Sequence, residues 1–327
     1  MNTELLFQLY SIHSMSGSEK RMRKFLRRRA REYGAESVET DKYGNLLIVK
    51  GESETYPCLA AHMDQVQHNH SKDFTVVGIG GDVIGWSPKC HSQQGLGADD
   101  KNGIYVCLEL LRRLDAVKVA FFVGEEVGCV GSSEVDLSFF SDCRFIIEPD
   151  RRGGNDLITS MFCGDVCSQD FIKAIGAEAY GYREEEGSIT DVGTLVERGV
   201  GISCLNLSCG YYNAHSDSEI TVLSELQNCL DFVEHIVLTC TEVYPFEYKP
   251  YHYSRCYTYG GYGKYRYLYD QTDYYENGQH DEDYDAMENL VKWHPGIKFE
   301  QVSGEYISYF HTRDKDILRD IYEDIVY

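Results

Sequence analysis

The segment KVAFFVGEEVGCVGS, residues 118–132, joins a continuous apolar run to a glycine-rich turn that carries two carboxylates. An apolar run of this length is typical of a strand that is covered on both faces, as in a parallel sheet flanked by helices. The turn puts Glu125 and Glu126 just beyond the carboxyl end of the predicted strand. Because open α/β sheets bind their ligands at that edge, the segment predicts both a fold class and the position of a site.

The same pattern recurs along the chain, with helical periodicity between the apolar runs. Further predicted strands lie in PCLAAHMD (57–64), CRFIIEPD (143–150) and ISCLNLS (202–208), and FTVVGIGGDVIGW (74–86) predicts a hairpin. Predicted helices lie in residues 2–33, 101–114, 168–179 and 223–239. Strands that alternate with helices predict an α/β three-layer sandwich, with a central mixed, mostly parallel sheet flanked by helices.

The composition divides the chain into three parts. Residues 1–240 are the expected catalytic domain. Residues 241–285 are dense in Tyr, Gly and charge and have few aliphatic residues, so they cannot form a conventional core by themselves. This segment is expected to cover the catalytic domain, with an aromatic binding surface as the alternative. Residues 286–327 predict a small C-terminal appendage, a β-hairpin followed by a helix.

Bulk properties exclude several kinds of partner. The net charge of −22 disfavours nucleic acid and anionic membrane surfaces, since both would be repelled. No basic leader with an apolar stretch opens the chain, and no apolar run approaches the ~18 residues of a spanning helix, so we expect a cytoplasmic protein. The twelve cysteines are scattered through apolar runs, which predicts reduced, mostly buried thiols. The sequence does not determine the oligomeric state.

Histidines and carboxylates follow several of the predicted strands, and we expect them to meet at one edge of the sheet. They are His62 and Asp64, Glu125 and Glu126, Glu148 and Asp150, His215, and Asp99 in the glycine-rich turn GLGADDKNG (95–103). Imidazole and carboxylate ligands without thiolates suit zinc, manganese or cobalt at a catalytic site. Two such metals about 3.5–4 Å apart can share a water molecule and stabilise the oxyanion that its attack on a carbonyl creates.

The motifs resemble those of the co-catalytic two-zinc metallopeptidase superfamily, which includes peptidase T, the glutamate carboxypeptidases and the tetrahedral aminopeptidases. The resemblance covers about residues 1–240, and the short spacings are similar to the compact form without an inserted domain. It rests on SGSEK (16–20), TDKYGNLLIVKG (40–51), HMD (62–64), GADDKNG (97–103), GEEVGCVGS (124–132), IIEPD (146–150) and YNAH (212–215).

The resemblance implies two divalent metal ions per chain, with zinc as the favoured metal. Asp99 would bridge them, His62 and His215 would bind different metals, and Glu126 and Asp150 would complete one site each. Because IIEPD also contains Glu148, that residue is the alternative to Asp150. The implied ligand set is His62, Asp99, Glu126, Asp150 and His215.

The resemblance also implies the catalytic residues. Glu125 would be the general base that takes a proton from water and passes it to the leaving amine, a role that needs a carboxylate within hydrogen-bond reach. Asp64 would hold the ring of His62 in one tautomer, as metal-bound histidines usually require. A cis peptide bond after Asp99 is a further feature that the resemblance implies.

Five residues near the predicted edge are candidates for substrate binding. Arg151 and Arg152 follow the CRFIIEPD strand and are expected either to clamp a substrate carboxylate or to neutralise an acidic rim. Asp191 in SITDVGT is a candidate to meet a substrate amino terminus. Tyr211 and Tyr212, close to His215, are candidate aromatic contacts.

Together these features predict a metal-dependent hydrolase, an exopeptidase that cleaves peptide bonds. An aminopeptidase acting on short peptides is favoured, and a carboxypeptidase or an N-acyl amino acid deacylase is the alternative. A non-catalytic metal-binding scaffold is the second alternative. The presence of both Asp64 and Glu125 argues against the scaffold, because a scaffold needs neither.

Overall fold

A computed structural model of the chain describes residues 1–67, 69–162 and 164–250. The helices are α1 Thr3–Tyr10, α2 Lys20–Glu32, α3 Ala98–Arg113, α4 Val130–Glu134, α5 Gln169–Ile175, α6 Asp191–Glu197 and α7 Leu223–Thr239, with 3₁₀ turns at Leu137–Phe140 and Ala177–Tyr180. The strands are β1 Ser37–Thr40, β2 Leu46–Lys50, β3 Tyr56–His62, β4 Thr75–Ile79, β5 Asp82–Ser87, β6 Ser92–Gln94, β7 Val117–Phe122, β8 Cys143–Arg151, β9 Asp156–Met161, β10 Gly164–Asp165, β11 Arg183–Gly187, β12 Cys204–Ser208, β13 Tyr211–Tyr212 and β14 Ile220–Val222. The predicted appendage of residues 286–327 lies outside the described residues, as does most of the Tyr/Gly-rich segment.

The larger sheet has the strand order β1-β2-β7-β3-β8-β12-β9-β10, with β11 beside β9. Its centre is parallel, because β3 pairs in parallel with both β7 and β8, and β12 pairs in parallel with β8. The pairs β1–β2, β2–β7, β12–β9 and β10–β9 are antiparallel, whereas β11 pairs in parallel with β9. The prediction of a mixed sheet flanked by helices is therefore confirmed.

Successive residues of the central strands face two separate apolar cores. Leu59 and Ala61 of β3 belong to the core that includes α1, α3 and α7, whereas Cys58 and Ala60 belong to the core that includes α6. Every residue of β3 is buried, and so is every residue of β7. Burial on both faces is the reason that these strands are continuous apolar runs rather than alternating ones.

A smaller sheet with the order β13-β14-β5-β4, and β6 beside β5, lies next to the site. The predicted hairpin is confirmed as β4 and β5, which are joined at Gly80 and Gly81, both with positive φ. β13 and β14 pair antiparallel in this sheet, so the two ends of the loop that joins them, residues 213–219, lie close together. That loop contains His215.

The described chain continues against the core beyond residue 240. The amide of Ser203 donates to the carbonyl of Tyr244 at 2.8 Å, and the amide of Phe246 donates to the carbonyl of Gly201 at 3.1 Å. The ring of Tyr244 packs 4.6 Å from that of Phe171. The start of the Tyr/Gly-rich segment is thus part of the packed body.

Two further predictions can be compared with the described residues. The described cysteines have no disulfide partner among the described residues, and all of them are buried except Cys90, which confirms the expectation of mostly buried thiols. No helix in the described part of the chain combines the length and apolarity that crossing a bilayer requires.

Candidate metal centre

The parallel centre of the larger sheet brings the predicted ligands to one edge. His62 is the last residue of β3, Asp150 is the penultimate residue of β8, and Glu126 follows β7 in the next loop. Because β7, β3 and β8 run parallel, their carboxyl ends lie side by side. The apolar runs of the sequence, which form these strands, therefore determine the positions of these three residues at the sheet edge.

One cluster consists of His62, Asp99 and Asp150, whose ligand atoms lie within 4.8 Å of one another. The Nε2 atom of His62 is 3.0 Å from Oδ1 of Asp99 and 3.5 Å from Oδ1 of Asp150. The side chain of His62 is fully buried, and that of Asp150 is 7% exposed. We refer to these three residues as cluster A.

A second cluster consists of Asp99, Glu126 and His215. The Nε2 atom of His215 is 3.2 Å from Oδ2 of Asp99 and 3.0 Å from Oε2 of Glu126. The side chain of His215 is 48% exposed, in contrast to that of His62. We refer to these residues as cluster B, which shares Asp99 with cluster A through the opposite carboxylate oxygen.

The turn before α3 sets the position of Asp99. Gly97 has a φ of +62°, a left-handed conformation that glycine adopts without steric cost. A Cβ atom at this position would clash with the side chains of Gln65 and Lys101. The Asp99–Asp100 peptide bond is cis, as the resemblance implied. Asp100 is buried and accepts hydrogen bonds from the amides of Gly103 and His62, at 2.9 and 3.3 Å. Asp100 therefore ties the first turns of α3 to β3.

Asp64 orients two parts of the site at once. The Nδ1 atom of His62 is 3.1 Å from the Asp64 carbonyl oxygen and 3.4 Å from Oδ1. The same carboxylate accepts hydrogen bonds from the amides of Glu125 and Glu126, at 3.1 and 3.3 Å, and from the hydroxyl of Ser16 at 2.8 Å. Asp64 thus holds the His62 ring and the loop that carries both glutamates.

Glu125 faces cluster A without belonging to it. Its Oε2 atom is 4.0 Å from Nε2 of His62, and its side chain is 13% exposed. The buried thiol of Cys129 donates to Oε1 at 3.7 Å. One oxygen of Glu125 therefore has a protein partner, while the other faces the ligand atoms.

The alternatives Asp150 and Glu148 lie on β8 in different surroundings. Glu148 is fully buried and accepts hydrogen bonds from the hydroxyl of Thr190 and from the amide of Val192. Asp150 is held by Asn206 of β12, whose side chain accepts from the Asp150 amide and donates to its carbonyl, both at 3.1 Å. Asp150, and not Glu148, has its carboxylate among the ligand atoms of cluster A.

Burial and neighbouring negative charge raise the pKa values of three carboxylates at this edge of the sheet, Glu125, Glu126 and Asp150. Burial and the charge of Asp99 raise the pKa of Glu126 to about 6. Burial, together with nearby acidic charge, raises the pKa of Glu125 and that of Asp150 well above the usual range. Burial opposes protonation of His215, but the adjacent carboxylates of Asp99 and Glu126 outweigh it and raise its pKa to about 11.

The pKa values of the remaining two candidate ligands, His62 and Asp99, are also shifted by burial and by their charged neighbours. Burial disfavours a charged His62, but the carboxylates of Asp150, Asp64 and Asp99 raise its pKa well above the usual value. Burial also disfavours a charged Asp99, yet the hydrogen bonds from His215 and His62 hold its pKa well below that of an ordinary carboxyl. The site therefore attracts positive charge strongly.

The donor set fits two divalent cations. Oε1 of Glu126 is buried and has no hydrogen-bond partner among the described residues. Within the described residues the ion pairs of clusters A and B involve histidine, and none involves Lys or Arg. Each cluster combines imidazole nitrogen with carboxylate oxygen, the donor chemistry of zinc and manganese sites that retain open positions.

Solved structures with a similar fold cover most of the described chain. Aminopeptidase PepT from Bacillus cereus matches with a TM-score of 0.60 at 15% identity, over 72% of this chain and 96% of that chain. An aminopeptidase from Desulfurococcus kamchatkensis matches with a TM-score of 0.58 at 16% identity, over 72% and 93%. A tripeptidase from Staphylococcus aureus matches with a TM-score of 0.57 at 16% identity, over 72% and 96%. The chain has the fold of these peptidases. No family model matches the sequence.

The candidate substrate-binding residues have different surroundings. Arg151 forms an ion pair with Asp156 at 3.1 Å, and Arg152 is exposed. Asp191 begins α6 and is fully buried, with Oδ1 accepting from the hydroxyl of Ser132 and Oδ2 without a partner among the described residues.

The two candidate aromatic residues also differ. Tyr211 is buried, whereas Tyr212 is half-buried and donates its hydroxyl to Glu225 at 2.8 Å. Tyr212 therefore already has a protein partner for its polar atom. The substrate roles of all these residues stay predictions.

Sequence reasoning missed several residues that hold clusters A and B in place. Asn206 lies on β12 in the middle of an apolar run and belongs to no motif. Cys129 lies within the motif GEEVGCVGS, but the sequence predicted no role for it. Glu219 is fully buried behind Asp99. Burial and the charge of Asp99 raise the pKa of Glu219 to about 7. Its signal was position alone, four residues after His215.

Proposed function

We propose that the chain is a two-metal exopeptidase, an aminopeptidase that acts on short peptides. The observation that supports this most directly is the pair of clusters A and B, joined through the two oxygens of Asp99. The second support is Glu125, a carboxylate 4.0 Å from His62 that is not itself part of either cluster. A binding-only site needs the first feature and not the second.

Clusters A and B would each hold one divalent cation, and we propose zinc, with manganese or cobalt as alternatives. When bound, the two cations would polarise the scissile carbonyl and lower the pKa of water. Asp64 keeps Nε2 of His62 available as a ligand, because Nδ1 donates to the Asp64 carbonyl. The same residue keeps Glu125 and Glu126 in place through their amides.

Glu125 moves the proton in this proposal. A water molecule that attacks the carbonyl carbon gives a proton to Oε2 of Glu125, and the same carboxyl then gives it to the leaving amine nitrogen. Burial and neighbouring acidic charge raise the pKa of Glu125, so the carboxyl holds the proton well between the two transfers. Cys129 donates to Oε1, which leaves Oε2 to face the reacting atoms.

The surrounding charge favours a substrate amino group over a substrate carboxylate. Asp191, whose charge acts on Glu125, and Glu148 are buried acids, and each has an oxygen without a hydrogen-bond partner in the described part of the chain. Such oxygens suit the hydrogen bonds of an ammonium group. Arg151 already pairs with Asp156. Arg152 is the exposed cation that the carboxypeptidase or deacylase alternative would use.

The test is an activity assay on amino-acid anilides, dipeptides and N-acyl amino acids, with chelator-treated protein reloaded with zinc or manganese. We expect cleavage of the anilides and dipeptides and no cleavage of the N-acyl amino acids. Glu125→Gln is expected to lower kcat by about 10²–10⁴-fold while metal binding is retained. Glu185→Gln, an exposed carboxylate on β11, is the matched control and should keep the parent rate.

Three outcomes would count against parts of the proposal. A Glu125→Gln variant that binds metal and cleaves at the parent rate removes Glu125 as the base. Cleavage of N-acyl amino acids that depends on Arg152 supports the deacylase or carboxypeptidase alternative instead. No cleavage anywhere in the panel by the metal-loaded protein supports the scaffold.

A further inference from the structure

Glu219 connects the loop of His215 to the turn of Asp99. It ends the 213–219 loop, and its side chain is fully buried. Oε2 accepts a hydrogen bond from the amide of Gly97 at 2.6 Å, and Oε1 accepts one from the amide of Asp99 itself at 3.2 Å. A single carboxylate therefore joins the chain around one ligand to the backbone of another.

Burying this carboxylate costs free energy, because a buried acid loses its hydration. The neighbouring charge of Asp99 adds to that cost, and the charge of Lys101 offsets part of it. The hydrogen bonds to this carboxylate come from the backbone of Gly97 and Asp99 and from the side chain of Gln67 at 3.3 Å. Backbone amides at a turn are normally satisfied by water or by a short capping side chain nearby. Glu219 reaches them from a segment distant in sequence.

The 213–219 loop needs such an anchor. It contains no helix or strand, and both Asn213 and His215 have positive φ, at 53° and 64°. A second hydrogen bond crosses to the preceding segment, from the amide of Gly95 to Asp217 at 3.3 Å, but it does not reach Asp99. Within the described residues, Glu219 provides the side-chain contact between this loop and the backbone of the shared ligand.

We propose that Glu219 is a positioning residue that fixes Asp99 relative to His215 and thereby sets the affinity of cluster B for its cation. The inference rests on the proposed two-metal function. Cluster A depends on it less, because His62 and Asp150 are held by buried strands and by Asn206. The expected signature is a change in the ratio of the two metal affinities, which general destabilisation would not produce.

The test compares Glu219→Gln with Asp217→Asn at pH 8. Both substitutions convert an acid of the same loop to its amide, but only the first removes an acceptor from the amides of Gly97 and Asp99. Calorimetric titration of the chelator-treated proteins with Zn²⁺ in a competing chelator measures the two binding steps separately. For Glu219→Gln we expect the second, weaker Zn²⁺ binding step, which we assign to cluster B, to weaken about tenfold, since one buried hydrogen bond is lost. The first binding step, at cluster A, should change less than about threefold. Asp217→Asn should change neither step by more than about threefold.

Each outcome is decisive. If the parent binds two Zn²⁺ and Glu219→Gln leaves the ratio of the two affinities unchanged, the positioning role is wrong and the proposed function stands. Equal weakening by Asp217→Asn also overturns it, because loop charge would then be the cause. If the parent binds fewer than two Zn²⁺, both the inference and the two-metal function fail. Circular dichroism and thermal unfolding of the metal-free variants check that each is folded, and Glu219→Ala provides a second variant with both acceptors removed.

Discussion

Clusters A and B share Asp99 but are built in opposite ways. In cluster A, His62 and Asp150 end buried parallel strands, and the His62 side chain has no exposure to solvent. In cluster B, His215 lies in a loop without regular structure and is 48% exposed. Strands fix the direction of a side chain through the packing of the whole sheet, whereas a loop depends on a few hydrogen bonds across its ends. We therefore expect cluster A to bind its cation more tightly than cluster B.

The largest effect should come from the residue that both clusters share. Asp99→Asn removes the negative charge that both clusters share and replaces one of the two carboxylate oxygens with an amide nitrogen. We expect both Zn²⁺ binding steps to weaken and hydrolysis to fall by at least about 10³-fold, because two-metal catalysis needs the bridging carboxylate. Calorimetry and the anilide assay measure the two effects. The exposed Asp115 provides the control, Asp115→Asn, which should behave as the parent. Two unchanged binding steps in Asp99→Asn would break the comparison, since Asp99 would then serve neither cluster.

An intermediate effect should come from the residue that anchors cluster A. Asn206 makes two hydrogen bonds to the backbone of Asp150, each 3.1 Å long. Asn206→Ala is expected to weaken the first Zn²⁺ step by up to about thirtyfold and to leave the second nearly unchanged, because the two lost hydrogen bonds cost about 1 kcal/mol each. This is the opposite pattern to that expected for Glu219→Gln. If Asn206→Ala weakened the second step instead, the assignment of tight binding to the strand side would be wrong.

The smallest effect concerns the pH dependence of the segment that leads to Asp99. His70 stacks on Phe74 with ring centroids 3.8 Å apart, and its Nε2 atom donates to the carbonyl of Gly95 at 2.7 Å. Burial and the charge of Lys101 lower the pKa of His70 to about 4. A histidine with a depressed folded pKa is neutral in the native state, so its contribution to stability is present above the unfolded value of about 6.5 and is lost as pH falls through 4.

The metal-free protein should therefore lose about 1–2 kcal/mol of unfolding free energy from His70 between pH 6.5 and 4, after allowance for its partial exposure. Chemical denaturation at several pH values measures this, and His70→Phe should flatten that part of the curve. The exposed His91 provides the control, His91→Gln. An unchanged curve in His70→Phe would show that the loss at acidic pH has another origin.

The sequence predicted the strand side of the site much better than the loop side. Apolar runs identify β3, β7, β8 and β12, and a parallel sheet necessarily brings their carboxyl ends together, so the neighbourhood of His62, Glu126 and Asp150 followed from local pattern. The choice between Asp150 and Glu148 did not follow from it. That choice depends on Asn206 and Thr190, which are distant in sequence and belong to no periodic pattern.

The loop side could be predicted only through the resemblance. Nothing in the local sequence around His215 indicates that Glu219 reaches Asp99 or that Asp217 reaches Gly95, because such hydrogen bonds depend on the packing of the smaller sheet. The strands β9 and β11 were also missed, since DLITSM and REEEG are half-buried or exposed at several positions and lack a continuous apolar run. Helix α6 was missed because its seven residues are too few for a clear periodicity.

The most direct test of the central claim is the number and order of Zn²⁺ ions bound by the chelator-treated parent and by His215→Ala. We predict two ions per chain for the parent, with one step weaker than the other, and one ion for His215→Ala that binds with the affinity of the stronger parent step. A single ion in the parent, or loss of the stronger step in His215→Ala, would contradict the account of a strand-held and a loop-held cluster that share Asp99.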